Sequence, residues 1–326
     1  MVYITDFWDG PVDVEQAALG DAASVVALHA QRESELLPRI ADAAGLLVWH
    51  DIRIGAATIE ALRRCRAIVR VGVGFDNVDL DAARRRDIVV CNVPDYGIED
   101  VADHALALML ALVRNLPQLG ADLRARPVYW NARRCARTPR LRGMTFGVVG
   151  LGRIGSATAL RAKAFGMDVV EFDPYIPDGR DKALGVRRAD SLDELLAQSD
   201  VVSIHTPLNE STRGMVSAAA LEKFKRGAIL INTARGPICD TAAVLRAIES
   251  GRLAGAGLDV LPVEPPPEND PLLVAARDPR HPAHHRVLLT PHSAFYTEEG
   301  FEEMRRKAAQ EMRRALLGLP VRNRVS

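Results

Sequence analysis

One stretch constrains this chain more than any other: Thr145 to Asp173, TFGVVGLGRIGSATALRAKAFGMDVVEFD. It opens on a short apolar run, Phe146 to Val149, suited to a strand buried on both faces of a parallel sheet. Gly150, Gly152 and Gly155 then set out G-x-G-x-x-G, which allows a tight turn, lets backbone approach a pyrophosphate and packs the next helix close to the strand. Ile154, Ala157, Leu160, Ala164 and Phe165 recur at helical spacing, so the helix starts at the glycines. Its first amides, at Arg153 and Ile154, would face phosphates. A second strand, Met167 to Phe172, ends at Asp173, about twenty residues beyond the glycines, where a carboxylate accepts from the hydroxyls of an adenosine ribose. The same carboxylate would repel a ribose phosphate, so the expected cofactor is NAD rather than NADP. Glycine-rich turns alone are weak evidence; strand, turn, helix and acid agree here.

The rest of the chain excludes several alternatives. At 326 residues it has room for two domains. Its 42 basic and 42 acidic residues cancel, so no overall field draws it to nucleic acid or to a membrane. The longest apolar run, Ala105 to Val113, is too short to span a bilayer, and the opening MVYIT reads as a strand without a leader. Cys65, Cys91, Cys135 and Cys239 are scattered and lack metal spacing, as expected of reduced thiols in a cytoplasm with no metal site.

Up to Asn92, short strands (Val2 to Thr5, Ser24 to Leu28, Leu46 to Trp49, Ala67 to Val71, Ile88 to Asn92) alternate with amphipathic segments such as Thr58 to Arg66. That alternation predicts a parallel sheet with helices on both faces. The segment Arg70 to Asn77 leaves its strand through Gly72 and Gly74, offering backbone amides to a small anion. Glu99 to Asn115 reads as a helix so apolar that it should be buried nearly all round, at a domain junction or subunit interface. Arg124 to Arg142 carries seven arginines with Tyr129 and Trp130. Charge balance elsewhere favours an arm packing on a partner subunit over a nucleic-acid patch. After Asp173 the alternation resumes, with strands Val201 to His205, Ala228 to Asn232, Ala254 to Val260 and Val287 to Thr290, and a long final helix, Thr297 to Leu317. Ala275 to His285 looks like an insertion, and His281, His284 and His285 read as a mobile solvated loop.

Read in order, the blocks Val73-Gly74-Phe75-Asp76-Asn77, Cys91-Asn92-Val93-Pro94, the glycine loop, Asn232-Thr233-Ala234-Arg235-Gly236, Leu258-Asp259-Val260 with Glu264-Pro265, and Thr290-Pro291-His292 resemble the D-isomer-specific 2-hydroxyacid dehydrogenases, most of all their C-terminal-binding-protein branch. The resemblance implies an α/β fold of two Rossmann-like or flavodoxin-like domains. An NAD domain (99–291) would be inserted into a discontinuous substrate domain (1–98 and 292–326), in a homodimer. It also implies an Arg235, Glu264 and His292 set. Arg235 supplies a planar fork for a carboxylate, His292 a proton, and Glu264 a carboxylate that raises the histidine's pKa. His205, Thr206, Pro207, Thr233, Ala234, Arg235, Asp259 and His292 would join the glycine loop around NAD, and His50, Arg70, Val73, Gly74, Arg235 and His292 would meet the substrate. The implied reaction interconverts a small 2-keto acid and its D-2-hydroxy acid. An NADH-sensing co-repressor, and a dehydrogenase of a phosphorylated hydroxy acid or phosphite, stand as alternatives. Phe295 stands where the co-repressor branch has tryptophan.

Overall fold

The computed structural model describes residues 1–126, 130–132 and 138–326. Part of the arginine-rich arm, 127–129 and 133–137 with Tyr129 and Cys135, lies outside them. The chain divides into unit 1, Met1–Gly97 with Tyr296–Ser326, and unit 2, Ile98–Phe295. The second crossing lies a few residues beyond 291, so His292 belongs with unit 2.

Unit 1 contains five parallel strands, β1 (Val2–Ile4), β2 (Val25–Ala27), β3 (Gly45–Val48), β4 (Ala67–Arg70) and β5 (Val89–Cys91), in the order β2-β1-β3-β4-β5. β3 and β4 are buried along their whole length, as apolar runs in a parallel sheet are, although β4 ends in the buried Arg70. Helices α1 (Asp13–Leu19), α2 (Ala56–Ala61) and α3 (Leu80–Arg85) come from the first segment. A last helix of the chain, Glu298–Leu316, returns to unit 1 and packs on α1, β3 and β4. It is capped by Thr297, whose hydroxyl accepts from Gly300 N at 3.0 Å.

Unit 2 begins with α4 (Ile98–Val113) and α5 (Leu116–Ala125). Its seven parallel strands are β6 (Thr145–Val149), β7 (Asp168–Phe172), β8 (Arg187–Arg188), β9 (Val201–Ile204), β10 (Ala228–Asn232), β11 (Leu253–Leu258) and β12 (Val287–Leu289), ordered β12-β11-β10-β9-β6-β7-β8. Between them run α6 (Arg153–Ala164), α7 (Arg180–Leu184), α8 (Leu192–Gln198), α9 (Ala218–Leu221), α10 (Thr241–Glu249) and α11 (Pro271–Arg277), and the final helix of unit 1 becomes α12. Two apolar cores fill the faces of this sheet. One gathers Phe146, Val148, Ala159 and Ile231 with Leu108 and Met109 of α4; the other gathers Leu196, Val202, Leu230, Val244 and Leu258.

Two expectations need correction. Within a single chain α4 buries one face, including Val101, Ala105, Leu108, Met109 and Leu112, while Asp103 and Ala107 are exposed. Alanines and leucines all round a helix do not distinguish its faces by hydropathy, so packing alone decided. His281, His284 and His285 do lie in a loop, past the end of α11, but they are half-buried around the fully buried Ala283 rather than freely solvated. His281 Nε2 lies 3.2 Å from Glu249 Oε1, and His284 Nδ1 2.6 Å from the Ala276 carbonyl.

Candidate active site

The winding of the unit 2 sheet reverses between β6 and β9, and the loops leaving their carboxyl ends carry the glycines and His205-Thr206-Pro207. Open α/β sheets bind ligands at such a point. Gly150 has φ +93°, and a β-carbon there would press on the His205 carbonyl at 2.9 Å. At Gly155 a β-carbon would collide with the Gly150 carbonyl at 1.9 Å, so the third glycine is what lets α6 sit against β6. Gly152 meets nothing within 4 Å. The protein itself does not require glycine there; a closely approaching ligand would.

Other observations fit a dinucleotide at this loop. Gly152 caps α6 without any side-chain hydrogen bond, which leaves the first-turn amides of Arg153 and Ile154 facing out from a helix N-terminus. The hydroxyls of Thr206 and Thr233 are buried without a partner among the described residues. Asp173 follows β7 and accepts from Leu151 N and Tyr175 N, both at 2.9 Å, so the acid also ties down the glycine turn. His205 Nε2 lies 2.8 Å from Ser203 Oγ, and burial pushes its imidazole down to about 4, which keeps it neutral and suits a wall rather than an acid.

Three strands, β10, β11 and β12, deliver the remaining chemistry at one edge. Asn232, buried at the end of β10, accepts from Ala234 N at 3.0 Å and donates to the Arg235 carbonyl at 2.9 Å, fixing the turn that presents Arg235. Gly236 lies so close to Leu261 that a β-carbon would sit 1.9 Å from its carbonyl carbon. This contact brings the Arg235 turn against the loop that carries Glu264. Glu264 Oε1 accepts from Leu261 N at 2.8 Å, and Oε2 lies 2.7 Å from His292 Nδ1. Burial works to raise the Glu264 carboxyl; the His292 hydrogen bond and charge, the Leu261 amide and the Arg235 charge outweigh it and hold the carboxyl below its ordinary range.

His292 itself has φ +52°, a strained backbone for a residue with a β-carbon. Asp259 at the end of β11 holds it there. The Asp259 carbonyl accepts from His292 N at 2.8 Å, and its buried carboxylate accepts from Thr290 Oγ1 at 2.5 Å and from Ser293 N and Ala294 N at 2.9 Å each. His104 of α4 completes this cluster, its Nε2 lying 3.0 Å from Thr290 Oγ1. Sequence reasoning passed over His104 and gave Thr290 no role of its own. A lone histidine on an otherwise apolar helix was the available signal.

In unit 1, His50 lies beside Asp51 at 3.4 Å. Arg70 is buried and donates from Nη1 to the Val71 carbonyl at 2.6 Å. Val73 and Gly74 are half-buried in a loop anchored by Asn92 Nδ2, which donates to the Val73 carbonyl at 2.6 Å. Among the described residues no three His, Cys, Asp or Glu side chains gather as a metal ion would require, and no helix is long and apolar enough to cross a membrane.

Comparison with known proteins agrees with this geometry. Residues 106–294 match the family described as D-isomer specific 2-hydroxyacid dehydrogenase, NAD binding domain. A D-3-phosphoglycerate dehydrogenase of Archaeoglobus fulgidus is 38% identical over 292 residues, covering 90% of this chain and 53% of that protein. The chain spans about half the length of the curated relatives it matches. A protein of solved structure from Thermus thermophilus superimposes with a TM-score of 0.86 at 36% identity, covering 100% of this chain and 99% of that one. D-Lactate dehydrogenase from Aquifex aeolicus, solved with NAD and lactic acid, gives 0.86 at 31% identity, covering 98% and 96%. With its glycine turn, terminal acid and strand order all accounted for, the chain belongs to the D-isomer specific 2-hydroxyacid dehydrogenase family, and residues 106–294 are the NAD binding domain of that family.

Proposed function

We propose that this protein is an NADH-dependent reductase that interconverts a small 2-keto acid and its D-2-hydroxy acid, with unit 2 holding the cofactor and unit 1 contributing to the substrate. The observation that carries the reading is the 2.7 Å approach of Glu264 to His292 Nδ1, on a backbone strained to present that imidazole. An ionised carboxylate only accepts hydrogen bonds, so the Nδ1 proton belongs to that bond and Nε2 is the atom that meets substrate oxygen. Bound NADH supplies the hydride. As charge builds on the carbonyl oxygen, His292 Nε2 donates its proton there, and Glu264 stabilises the cationic ring before the transfer. Arg235, whose charge already acts on Glu264, offers a planar fork to the substrate carboxylate. The substrate roles of His50, Arg70, Val73 and Gly74 are part of the same proposal, as are the cofactor contacts of Pro207 and Ala234.

The test is NADH oxidation by the purified protein across a panel of 2-keto acids. His292→Ala is expected to lose about a hundred- to ten-thousand-fold in turnover while binding NADH normally. Near-normal turnover in that variant would remove His292 from the mechanism. A phosphorylated hydroxy acid is the second reading, favoured by the names of the curated relatives, and a phosphorylated keto acid in the panel separates the two.

A homodimer is proposed as well. Leu116 at the start of α5 and Trp130, within the arginine-rich arm, are 56% and 84% exposed, as large apolar side chains awaiting a partner would be. Light scattering after gel filtration is expected to give twice the 35.5 kDa chain mass. The buried thiols of Cys91 and Cys239 favour a reducing compartment, the cytoplasm.

A further inference from the structure

The sheet of unit 1 also reverses its winding, between β1 and β3. The carboxyl ends of two such strands flank the place where open α/β sheets take ligands. Here those ends carry aromatic rings. Phe7 follows β1, and its ring centroid lies 5.0 Å from Trp49 and 4.7 Å from His50, the residues that follow β3. Phe301 of α12 lies 5.2 Å from Trp49 and 6.5 Å from Phe7, and Tyr296 lies 5.5 Å from Phe301. The floor of this corner is fixed. The buried Asp6 carboxylate accepts from the amides of Trp49, Asp51 and Ile52 at 3.1, 2.8 and 3.0 Å, and Asn77 Nδ2 donates to the Trp49 and Ile52 carbonyls at 2.7 and 2.9 Å.

Two features of the corner work against folding. Phe7 holds φ +61°, the left-handed region that residues with a β-carbon avoid, and its ring stays 44% exposed. Asp87 and Asn115 share that conformation just past α3 and α4, where it ends a helix; Phe7, like His29 past β2, ends none. Trp49 is 1% exposed, and its indole N–H has no acceptor among the described residues. Strain and unsatisfied polar atoms of this kind gather at functional sites.

The chemistry of the corner selects its occupant. Ring faces are electron-rich, so they receive a flat apolar group and repel a phosphoryl dianion. Arg305, which covers Trp8 with its guanidinium 3.9 Å from the ring centre, is already bound to Glu15 through Nε at 2.7 Å and Nη2 at 2.6 Å. We propose that the Phe7 corner receives the carbon substituent of the substrate, and that the preferred substrates are 2-keto acids bearing an aryl or other large apolar group. This inference rests on the reading of the chain as a 2-keto acid reductase.

The experiment compares kcat/KM for phenylpyruvate, glyoxylate and phosphorylated hydroxypyruvate with NADH, in the natural protein and in Phe7→Gly. Glycine accepts the left-handed backbone, so the variant loses the ring without added strain; an unchanged melting temperature confirms the fold, and Phe7→Leu is the second variant. The expected result is that phenylpyruvate leads glyoxylate by about tenfold or more, and that Phe7→Gly lowers phenylpyruvate by roughly tenfold while glyoxylate stays within about twofold. A lead for glyoxylate or for the phosphorylated acid, or an equal fall on all three, would overturn the inference and leave the reductase standing. NADH binding with no oxidation by any keto acid would instead overturn the reductase reading itself.

Discussion

Burial works to raise the Glu264 carboxyl, yet its hydrogen bonds and neighbouring charges hold it below its ordinary range, and that competition makes a pH-dependent prediction at the residue scale. A carboxyl whose folded pKa lies below its unfolded one contributes stability that is fully present above the unfolded value and lost as pH falls through the folded value. Thermal melts of the natural protein and of Glu264→Gln should therefore differ most near neutrality and converge on acidification below the ordinary carboxylate range. Turnover of Glu264→Gln is expected to fall on the order of a hundred-fold, because the amide carries no charge to stabilise the cationic ring. Melts across pH check the first, and steady-state kinetics the second. The sequence singles out Arg235, Glu264 and His292 because each stands in a short block that resembles the family. The contacts of His104 with Thr290, and of Arg305 with Glu15, were not legible there, since they join residues 186 and 290 positions apart and follow only from how helices lie on a sheet.

Among the elements, β7 contains a conflict. Glu171 is fully buried, neither of its carboxylate oxygens has a hydrogen-bond partner, and Arg188 Nε comes no nearer than 3.8 Å. Burial, against the attraction of Arg188 and with repulsion from Asp173 and Asp181, pushes its carboxyl up to about 7. From about 4.5 to 7 the folded chain holds a proton that the unfolded chain has released, so stability falls as pH rises through that window and the full cost is present above it. Glu171→Leu should accordingly raise stability by on the order of 3 kcal/mol at pH 8 and by far less at pH 5, read from urea unfolding at the two pH values. A flat difference would mean that the acid is solvated after all. Strands of unbroken apolar residues were readable to within a residue or two. β8 was not, being two exposed arginines at a sheet edge whose pairing comes from its neighbour. α11 was hidden in a proline-rich stretch, although Pro271 stands at its first turn, where proline is at home, and Asp270 caps it by accepting from Leu273 N.

For the molecule as a whole, the sequence predicted two parallel α/β sheets but not their strand orders, which depend on which apolar edges meet. One consequence of those orders concerns the segment between Glu264 and His292. β12 is held in register by β11, with Leu258 opposite Leu289, and Asp259 then gathers Thr290, His292, Ser293 and Ala294 by direct bonds. The histidine's position is thus set by the β11–β12 pairing and by Asp259 and does not depend on the path the chain takes to reach β12. Loop-closure entropy changes only slowly with length. Trimming or extending the turn at Asp278 to Pro282 by two or three residues is expected to lower the melting temperature while leaving kcat and NADH affinity within about twofold, and kinetic assays of a length series would show it. The sheet therefore buffers the catalytic edge against insertions and deletions, so lineages of this fold are free to lengthen or shorten that connection without relocating the imidazole.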